Sequence, residues 1–404
     1  MDGESAKKPT RIFGLSKNVI AMGVVSFFND LSSDMVYPFI PIFLTSVLGA
    51  TAGFVGLVEG IADATASVLK IFSGYASDRL RVRKRLAVFG YSLSAIVKPA
   101  LALAMAPWHV LAVRFVDRVG KGVRDAPRDT LISVFAEKSG MGRAFGFHRG
   151  ADTLGAAVGP LVGFLLLPFL HNNLRLLFLL SFVASFFAVL TLAFFVREVE
   201  NPVRAVKFPR FQLRGLGVPF FIFLAASTIF ALGRASEAFL LLRAQSLGVA
   251  LMLFPLLYAV FNITSAFLST PAGILSDKIG HRNTFMIGMI LFSATYLLFA
   301  RVNSLSFLWV LFALYGLYHA LTEGVGRAIV ADLVGEEWRA TAYGVYNACT
   351  GFALLPASLI FGILWDRFGP AVPFRYGAVL GIIAFLIFAV LRLRNGGFRK
   401  RVLV

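Results

Sequence analysis

The sequence predicts an all-α membrane protein whose twelve membrane-spanning helices form two pseudo-symmetric six-helix bundles. Three observations support this fold class: an apolar composition, regular interruptions of the apolar stretches, and an internal repeat. Of the 404 residues, 58% are hydrophobic and 15% are charged, whereas soluble domains contain about half apolar and a quarter charged residues. A net charge of +18 would suit nucleic acid, but the basic residues cluster in short loops. That placement is typical of the cytoplasmic loops of membrane proteins.

Charges, Gly and Pro divide the chain into apolar stretches of about 20 residues, the length that crosses a bilayer as a helix. The predicted helices cover residues 17–44, 52–77, 87–105, 108–134, 144–168, 174–196, 216–240, 249–275, 283–301, 306–331, 342–366 and 372–393. An even number of spans places both termini on one side, which the basic loops assign to the cytoplasm. We therefore predict a multi-pass protein of the cell (inner or plasma) membrane. Residues 1–196 and 216–404 would form the two bundles, joined by a cytoplasmic linker at 197–215.

Two sequence features recur about 200 residues apart, which indicates duplicated six-helix units. The run Gly74-Tyr-Ala-Ser-Asp78-Arg79 follows the second span, and Gly273-Ile-Leu-Ser-Asp277-Lys278 follows the eighth. Ala144-Phe145-Gly146 opens the fifth span, and Ala342-Tyr343-Gly344 opens the eleventh. An aspartate at a helix end can engage the positive end of a neighbouring helix or nearby arginines. We therefore favour a gating role for these loops over charge that only sets topology, since topology would explain neither aspartate.

These features resemble the major facilitator superfamily over nearly the whole chain. The two loops are similar to its G-x-x-x-D-R/K-x-G-x-R/K motif, although Arg81 stands where glycine is usual in the first copy. The resemblance implies that Gly74, Asp78, Arg79, Asp277 and Lys278 control the opening of one side. The fifth span looks like the antiporter motif of the drug/proton antiporter branches, through Gly146, Gly155, Gly159, Pro160 and Gly163. The same branches have paired prolines in the first span, which Pro38 and Pro41 resemble.

The fourth span is unusual because eight charges lie between Arg114 and Asp129. At about 100° per residue they share one arc of roughly 140° on a helix. Such a face must line a polar cavity or meet partner charges, unless the helix lies on the membrane surface. We expect Arg114 and Arg118 to face the central cavity, and at least one of them to exchange partners during transport. The further expectations are that Asp125 lies between Lys121 and Arg128, that Asp129 lacks a cation at helical spacing, and that Pro127 kinks the helix or ends its regular part.

Ionisable groups inside a membrane cost about 2.5–3.5 kcal/mol each on insertion scales, so each needs a functional or structural reason. The candidates for substrate binding or proton coupling are Asp30, Asp34, Glu59, Asp63, Arg114, Arg118, Asp152 and Glu323. The alternative is internal ion pairing, for example of Glu59 or Asp63 with Lys70. Asp34 stands out because it lies in mid-span, four residues before Pro38. A buried carboxylate without a full partner can change protonation near neutral pH.

The predicted function is secondary active transport of a small organic solute by alternating access. Proton-coupled export is the first hypothesis, from the antiporter resemblance and the embedded carboxylates. The alternatives are uptake or exchange of an anionic solute (an organic acid, phosphorylated compound or metal chelate) and translocation of a lipid-linked substrate. We expect no enzyme activity, because no catalytic constellation is recognisable. Cys349 is the single cysteine and no metal-ligand spacing occurs, so neither a metal nor a cofactor is expected. The expected partners are the solute, protons and the lipid bilayer, with no nucleic acid, and the protein is expected to be a monomer.

Overall fold

The computed structural model describes residues 11–12, 15–80, 82–136, 141–198, 216–335 and 338–396. Within these ranges a hairpin of two short strands, β1 (Arg11–Ile12) and β2 (Leu15–Ser16), precedes twelve long helices. The helices are α1 (Lys17–Val47), α2 (Ala52–Leu80), α3 (Arg83–Leu103), α4 (Pro107–Phe135), α5 (Met141–Phe169), α6 (Leu174–Phe195), α7 (Val218–Ser246), α8 (Leu251–Ile279), α9 (His281–Arg301), α10 (Leu305–Leu333), α11 (Arg339–Phe368) and α12 (Ala371–Gly396). Their number and order confirm the predicted twelve spans.

Local sequence signals account for several helix ends. Ser16 caps α1, because its hydroxyl accepts the backbone N–H of Val19 at 3.4 Å. The Asn173 side chain caps α6 by accepting the N–H of Arg175 at 3.0 Å. Pro107 opens α4 at a position where the missing N–H has no intrahelical partner to lose.

The charged helix α4 differs from the others in composition. Eleven of the twelve helices are long and apolar enough to cross a membrane, judged over the described residues, and α4 is not among them. Its charges between Arg114 and Asp129 account for that, so α4 depends on partners inside the protein. The helix runs through Pro127 to Phe135, so the expectation that Pro127 ends its regular part is wrong.

Irregular turns interrupt α1 and α7 in the middle of the molecule. α1 is α-helical to Val36, passes through a 3-10 turn at Tyr37–Phe39 and ends in a π-helical turn at Phe43–Val47. Pro38 and Pro41 account for this, because each lacks the N–H of a regular helix. α7 is broken between Gly233 and Ala238, where the sequence predicted one continuous helix. The break brings backbone and side-chain polar groups to the centre of the molecule.

The two halves have the same helix packing. In the first half, α1 packs on α5 and α6, α2 packs on α4, and α3 packs on α4 and α6. In the second half, α7 packs on α11 and α12, α8 on α10, and α9 on α10 and α12. Each pair of the second half equals a pair of the first with six added to both numbers. The predicted pseudo-symmetry is therefore present, while the domain boundaries at 196 and 216 remain predictions because residues 199–215 lie outside the described chain.

The halves meet through α2 with α11 and through α5 with α8. We call the end of the molecule at which α1 begins and α12 ends the terminal face, and the opposite end the distal face. At the distal face the halves are closed: the Asp366 carboxylate of α11 accepts the N–H groups of Ala52 and Gly53 at 3.0 and 2.7 Å. Gln245 adds bonds to Thr45 at 3.1 Å and Ser46 at 2.7 Å.

At the terminal face the halves diverge between α5 and α8. A cavity of about 1040 Å³ lies there, lined by α5, α8 and α10, and reaches Asp277 and His281 at the helix ends. We call this space the outer cavity. The molecule is therefore open toward the terminal face and closed toward the distal face.

The glycine ridge of α5 packs against α1. A methyl group added at Gly159 would lie 2.6 Å from the Leu31 carbonyl oxygen, and one at Gly163 would lie 2.9 Å from that of Met35. Gly155 is in similarly close contact with the Phe27 carbonyl. A methyl group added at Gly146 would meet no atom of another helix within 4 Å, and this glycine lines the outer cavity instead. Three of the four motif glycines thus allow close helix packing.

Gly159→Ala should destabilise the protein, because the added methyl meets backbone atoms of α1 that have no room to move. Overpacking of this kind costs about 1–3 kcal/mol. Gly150→Ala on the same helix is the matched control: nothing lies within 4 Å of its added methyl, and alanine favours the helix by up to about 1 kcal/mol. The measurement is the apparent melting temperature of both purified variants in detergent. Equal melting temperatures would contradict the packing role of the ridge.

Candidate substrate cavity

A second cavity of about 260 Å³ lies inside the first half, between α1, α2, α3 and α4, and Glu237 and Tyr258 of the second half also line it. We call it the inner chamber. Asp30 lines both this chamber and the outer cavity, so the two spaces adjoin. The carboxylates that line the chamber are Asp30, Asp34, Glu59, Asp63, Asp117 and Glu237, and its cations are Lys98, Arg114, Arg118, Lys121 and Arg124.

The strongest contact in the chamber joins Glu59 of α2 to Arg114 of α4. One guanidinium nitrogen, Nη2, lies 2.9 Å from both carboxylate oxygens of Glu59. The two residues are 1% and 5% exposed, so neither charge has water as an alternative partner. Removing one member of such a pair typically costs about 3–5 kcal/mol, because the other charge stays buried and unpaired.

Glu59 also connects the two halves of the molecule. Its Oε2 accepts the hydroxyl of Tyr37 at 3.4 Å and that of Ser236 at 3.2 Å, and these two hydroxyls lie 3.0 Å apart. Tyr37 lies in the 3-10 turn of α1, and Ser236 lies in the break of α7. The two irregular helices therefore meet at the carboxylate, between the inner chamber and the distal face.

The cations deeper in the chamber lack carboxylate partners. Within the described residues, neither Arg118 nor Lys121 has a hydrogen bond or a carboxylate within 4.0 Å, although both line the chamber. Arg114 and Arg118, which we expected to face the central cavity, both line the inner chamber, and an exchange of partners during transport stays a prediction. The carboxylate that pairs with Arg114 is Glu59 of α2, and not Asp117, which lies three residues after Arg114 on α4.

The chamber carboxylates differ from one another in their contacts. Asp30 accepts the Asn29 side-chain amide at 2.7 Å. No ion pair or side-chain hydrogen bond is formed by Asp34 or Asp63 with any described residue, although both face the chamber. Asp152 pairs with Arg149 at 3.4 Å and lines the outer cavity. Within the described residues, Glu59 is the one chamber carboxylate that forms a salt bridge. Asp34 and Asp63 can therefore exchange a proton without breaking a salt bridge or a side-chain hydrogen bond.

The lower part of α4 is neutralised in a different way from the one expected. Arg128 pairs with Asp125 at 3.6 Å, as its spacing predicted. Arg128 also pairs with the adjacent Asp129 at 2.9 Å, so Asp129 has a cation partner although none lies three or four residues from it. Lys70 reaches Asp125 at 3.8 Å, which corrects the suggested pairing of Lys70 with Glu59 or Asp63.

The second half contributes a smaller polar cluster to the outer cavity. On α10, His319 lies 3.0 Å from Glu323, and Arg327 lies 3.9 Å from the same carboxylate. Ser265 of α8 binds the other nitrogen of His319 at 2.9 Å. Glu323 is thus contacted from both sides, by residues that lie one helical turn before and one turn after it on α10.

The predicted gating loops are only partly described. The side chains of Asp78 and Arg79 lie outside the described residues, and a methyl group added at Gly74 would lie 3.5 Å from Ala126. In the second copy, His281 lies between Asp277 at 3.5 Å and Asp332 at 2.7 Å. Asp277 and the following Lys278 thus end α8 beside the terminal opening, where Asp277 ties α8 to α9.

Sequence reasoning missed three residues that line the chamber or contact a residue lining it. Lys98 is 5% exposed and points to serine hydroxyls, and its signal was a lone lysine before a proline inside an apolar span. Tyr37 and Ser236 gave no signal as single residues, because their role comes from their contact with each other. That contact joins the two halves across 199 positions of the sequence. The polar run from Arg234 to Glu237 could have indicated the break in α7.

Glu59→Gln should lower the stability of the protein by about 3–5 kcal/mol, because Arg114 would stay buried beside a neutral amide. Lys70→Ala is the matched control. Its side chain is 49% exposed and its ion pair with Asp125 is 3.8 Å long, so its loss should cost less than about 1 kcal/mol. Adding Arg114→Gln to Glu59→Gln should restore part of the loss. The measurement is the apparent melting temperature in detergent, and equal small effects of all variants would contradict the importance of the pair.

Comparison with known proteins shows the family to which the chain belongs. Residues 22–242 and 220–403 match the family model of the Major Facilitator Superfamily. An uncharacterized MFS-type transporter (MJ1317) of Methanocaldococcus jannaschii is 38% identical over 379 residues, covering 92% of this chain and 94% of the relative. Multidrug resistance protein MdtH of Escherichia coli is 24% identical over 372 residues, covering 87% and 88%.

Solved structures agree with this assignment at the level of the fold. A mutant form of the nucleoside transporter NupG superposes with a TM-score of 0.79 at 15% identity, over 92% of this chain and 99% of that one. A mutant form of the peptide transporter POT, in complex with sulfate, superposes with a TM-score of 0.79 at 14% identity, over 97% of both chains. The chain therefore belongs to the major facilitator superfamily and is a multi-pass membrane transporter.

Proposed function

We propose that the protein is a proton-coupled antiporter that exports a small organic solute. The observation that carries this proposal is Asp34, a carboxylate of the inner chamber that has no ion pair within the described residues. Glu59 cannot exchange a proton without releasing Arg114, whereas Asp34 can. Protons can reach Asp34 from the terminal face through the outer cavity and past Asp30, which lines both spaces.

The charges around Asp34 supply the coupling. Lys98, Arg118 and Lys121 line the same chamber, so the ionised carboxylate offsets part of their positive charge. When Asp34 takes up a proton, the chamber gains one positive charge, which disfavours a solute that carries a cationic group. Proton and solute then exclude each other, and a proton gradient can drive the solute in the opposite direction. The similarity to MdtH, whose name describes multidrug resistance, supports export.

A second candidate is the transport of an anionic solute, and Arg118 favours it. A guanidinium without a carboxylate partner in the described chain suits a carboxylate or phosphate group. Protonated Asp34 would leave Arg118 and Lys121 free to bind that group, so proton and solute would move together. The direction of proton movement that accompanies the solute distinguishes the two candidates.

The orientation in the membrane belongs to the same proposal. Arg83, Lys84 and Arg85 lie at the terminal face, at the start of α3. Because basic residues stay on the cytoplasmic side of cell membranes, we place the terminal face and both chain ends in the cytoplasm. The outer cavity would then open inward, and one chain would suffice because each half contributes to one chamber.

Asp34→Asn should abolish proton movement coupled to solute and flatten the pH dependence of transport, because an amide does not titrate. The measurement uses proteoliposomes with an imposed pH gradient and labelled amino acids, nucleosides and cationic dyes, with the solute that the wild-type protein moves. Asp129→Asn is the matched control, since Asp129 pairs with Arg128 outside the chamber. A wild-type pH profile in Asp34→Asn would exclude this residue as the coupling site, and solute moved together with protons would favour the second candidate.

A further inference from the structure

Lys98 is a buried lysine of α3 for which the transport scheme above gives no specific task. It is 5% exposed and lines the inner chamber. Its Nζ donates to the hydroxyls of Ser33 at 2.8 Å, Ser32 at 3.2 Å and Ser185 at 3.3 Å. No carboxylate oxygen of the described residues lies within 4.0 Å of this ammonium. A full positive charge is therefore held by three neutral oxygens, although the chamber contains six carboxylates.

The position of Lys98 relative to Asp34 suggests why. Its shortest bond is to Ser33, the residue before Asp34 on α1, so the ammonium lies beside the helical turn that carries the carboxylate. The helix that carries Lys98 changes from α to 3-10 geometry at this residue, followed by Pro99. A lysine has a flexible four-carbon stem and three donors that can reorient. It can exchange a serine hydroxyl for a nearby carboxylate without movement of a helix.

We propose that Lys98 is the exchangeable counter-charge of Asp34: its ammonium binds the three serines while Asp34 is protonated and turns to the carboxylate when the proton leaves. This role makes Lys98 a positioning residue that sets how tightly Asp34 holds its proton, and it rests on the proposed use of Asp34 as the proton site. The serines compete with the carboxylate for the same ammonium. Their hydroxyls stabilise the ammonium while Asp34 is neutral.

Other charges also act on Asp34 and belong to the prediction. They are Asp30 on α1, Arg118 and Lys121 on α4, Asp152 on α5 and the Tyr258 hydroxyl on α8. Lys98 shares the chamber with Asp117 and Arg124 of α4 and Asp30 of α1. Of the described cations near Asp34, only Lys98 is held by uncharged hydroxyls. Two of these hydroxyls belong to Ser32 and Ser33, which directly precede Asp34 on α1. The charges of α4 remain in place when Lys98 is changed, so its contribution can be measured against a constant background.

The test is an infrared titration of the protonated carboxyl signal of Asp34 in purified full-length protein, identified by its loss in Asp34→Asn. Lys98→Gln keeps a donor for the serines and removes the charge. Without the cation the ionised carboxylate is less stable, so the midpoint of the titration should move to higher pH by about one unit, a tenfold change in proton affinity. Lys98→Arg keeps the charge and should keep the midpoint close to that of the wild-type protein.

A second pair of variants predicts the opposite sign. Ser33→Ala and Ser185→Ala each remove one competing acceptor, which leaves Lys98 more available to Asp34, so the midpoint should move to lower pH. These variants also keep the test decisive if Lys98→Gln does not fold. A purely structural lysine, tying α3 to α1 and α6, would change the melting temperature in these variants and leave every midpoint unchanged, and that result would overturn the proposal.

The same data separate this proposal from the proposed function. Shifted midpoints in a protein that moves no solute against protons would support the role of Lys98 and reject antiport. Antiport with the wild-type midpoint in Lys98→Gln would support antiport and reject the role of Lys98. If no carboxyl signal is lost in Asp34→Asn, Asp34 does not bind the proton and both proposals fail.

Discussion

The buried pair of Glu59 and Arg114 is the contact on which the rest of the site depends. In this pair one cation and one carboxylate of the inner chamber neutralise each other. The pair also holds α2 against α4, the helix that is too charged to be stable in lipid by itself. The same carboxylate accepts hydroxyl groups from Tyr37 and Ser236, so it also joins the first half of the molecule to the second. One buried carboxylate therefore positions the charged helix, closes the chamber toward the distal face and leaves Arg118 without a fixed partner.

The pair also explains why the chamber carries so many charges without losing its shape. Arg128 is fixed by Asp125 and Asp129 at one end of α4, and Arg114 by Glu59 at the other. Between them lie Arg118 and Lys121, which have no such partner among the described residues. Fixed pairs at both ends allow the middle of the helix to remain electrostatically unsatisfied, which is where a proton or a solute can change the balance. The distal contacts of Asp366 and Gln245 close the molecule above this region.

Much of the fold followed from the sequence, because apolar length and charge spacing are local properties. The twelve spans, the repeat and the polar face of α4 are of this kind. The contact partners of individual side chains could be predicted less well. Glu59 and Arg114 were each candidates, but their pairing joins residues 55 positions apart and depends on how α2 packs on α4. Lys98 and Ser236 were missed for the same reason, since a lone lysine or serine has meaning only beside its neighbours in space. The contact of Asp129 with Arg128 was not predicted, because the argument from helical spacing considered residues three or four positions apart and the two residues are adjacent.

The central claim is that the distal side, joined through the Glu59 network, must open for transport. Thr45→Cys with Gln245→Cys, joined by a cleavable bifunctional thiol reagent in a Cys349→Ala background, tests it most directly, because Thr45 Oγ1 and Gln245 Oε1 lie 3.1 Å apart across the distal closure. The measurement is solute movement by proteoliposomes before crosslinking, after crosslinking and after release of the crosslink. The account predicts normal transport before, none while the link is closed, and recovery after its release, with slower crosslinking in Glu59→Gln. Full transport by the crosslinked protein would contradict it.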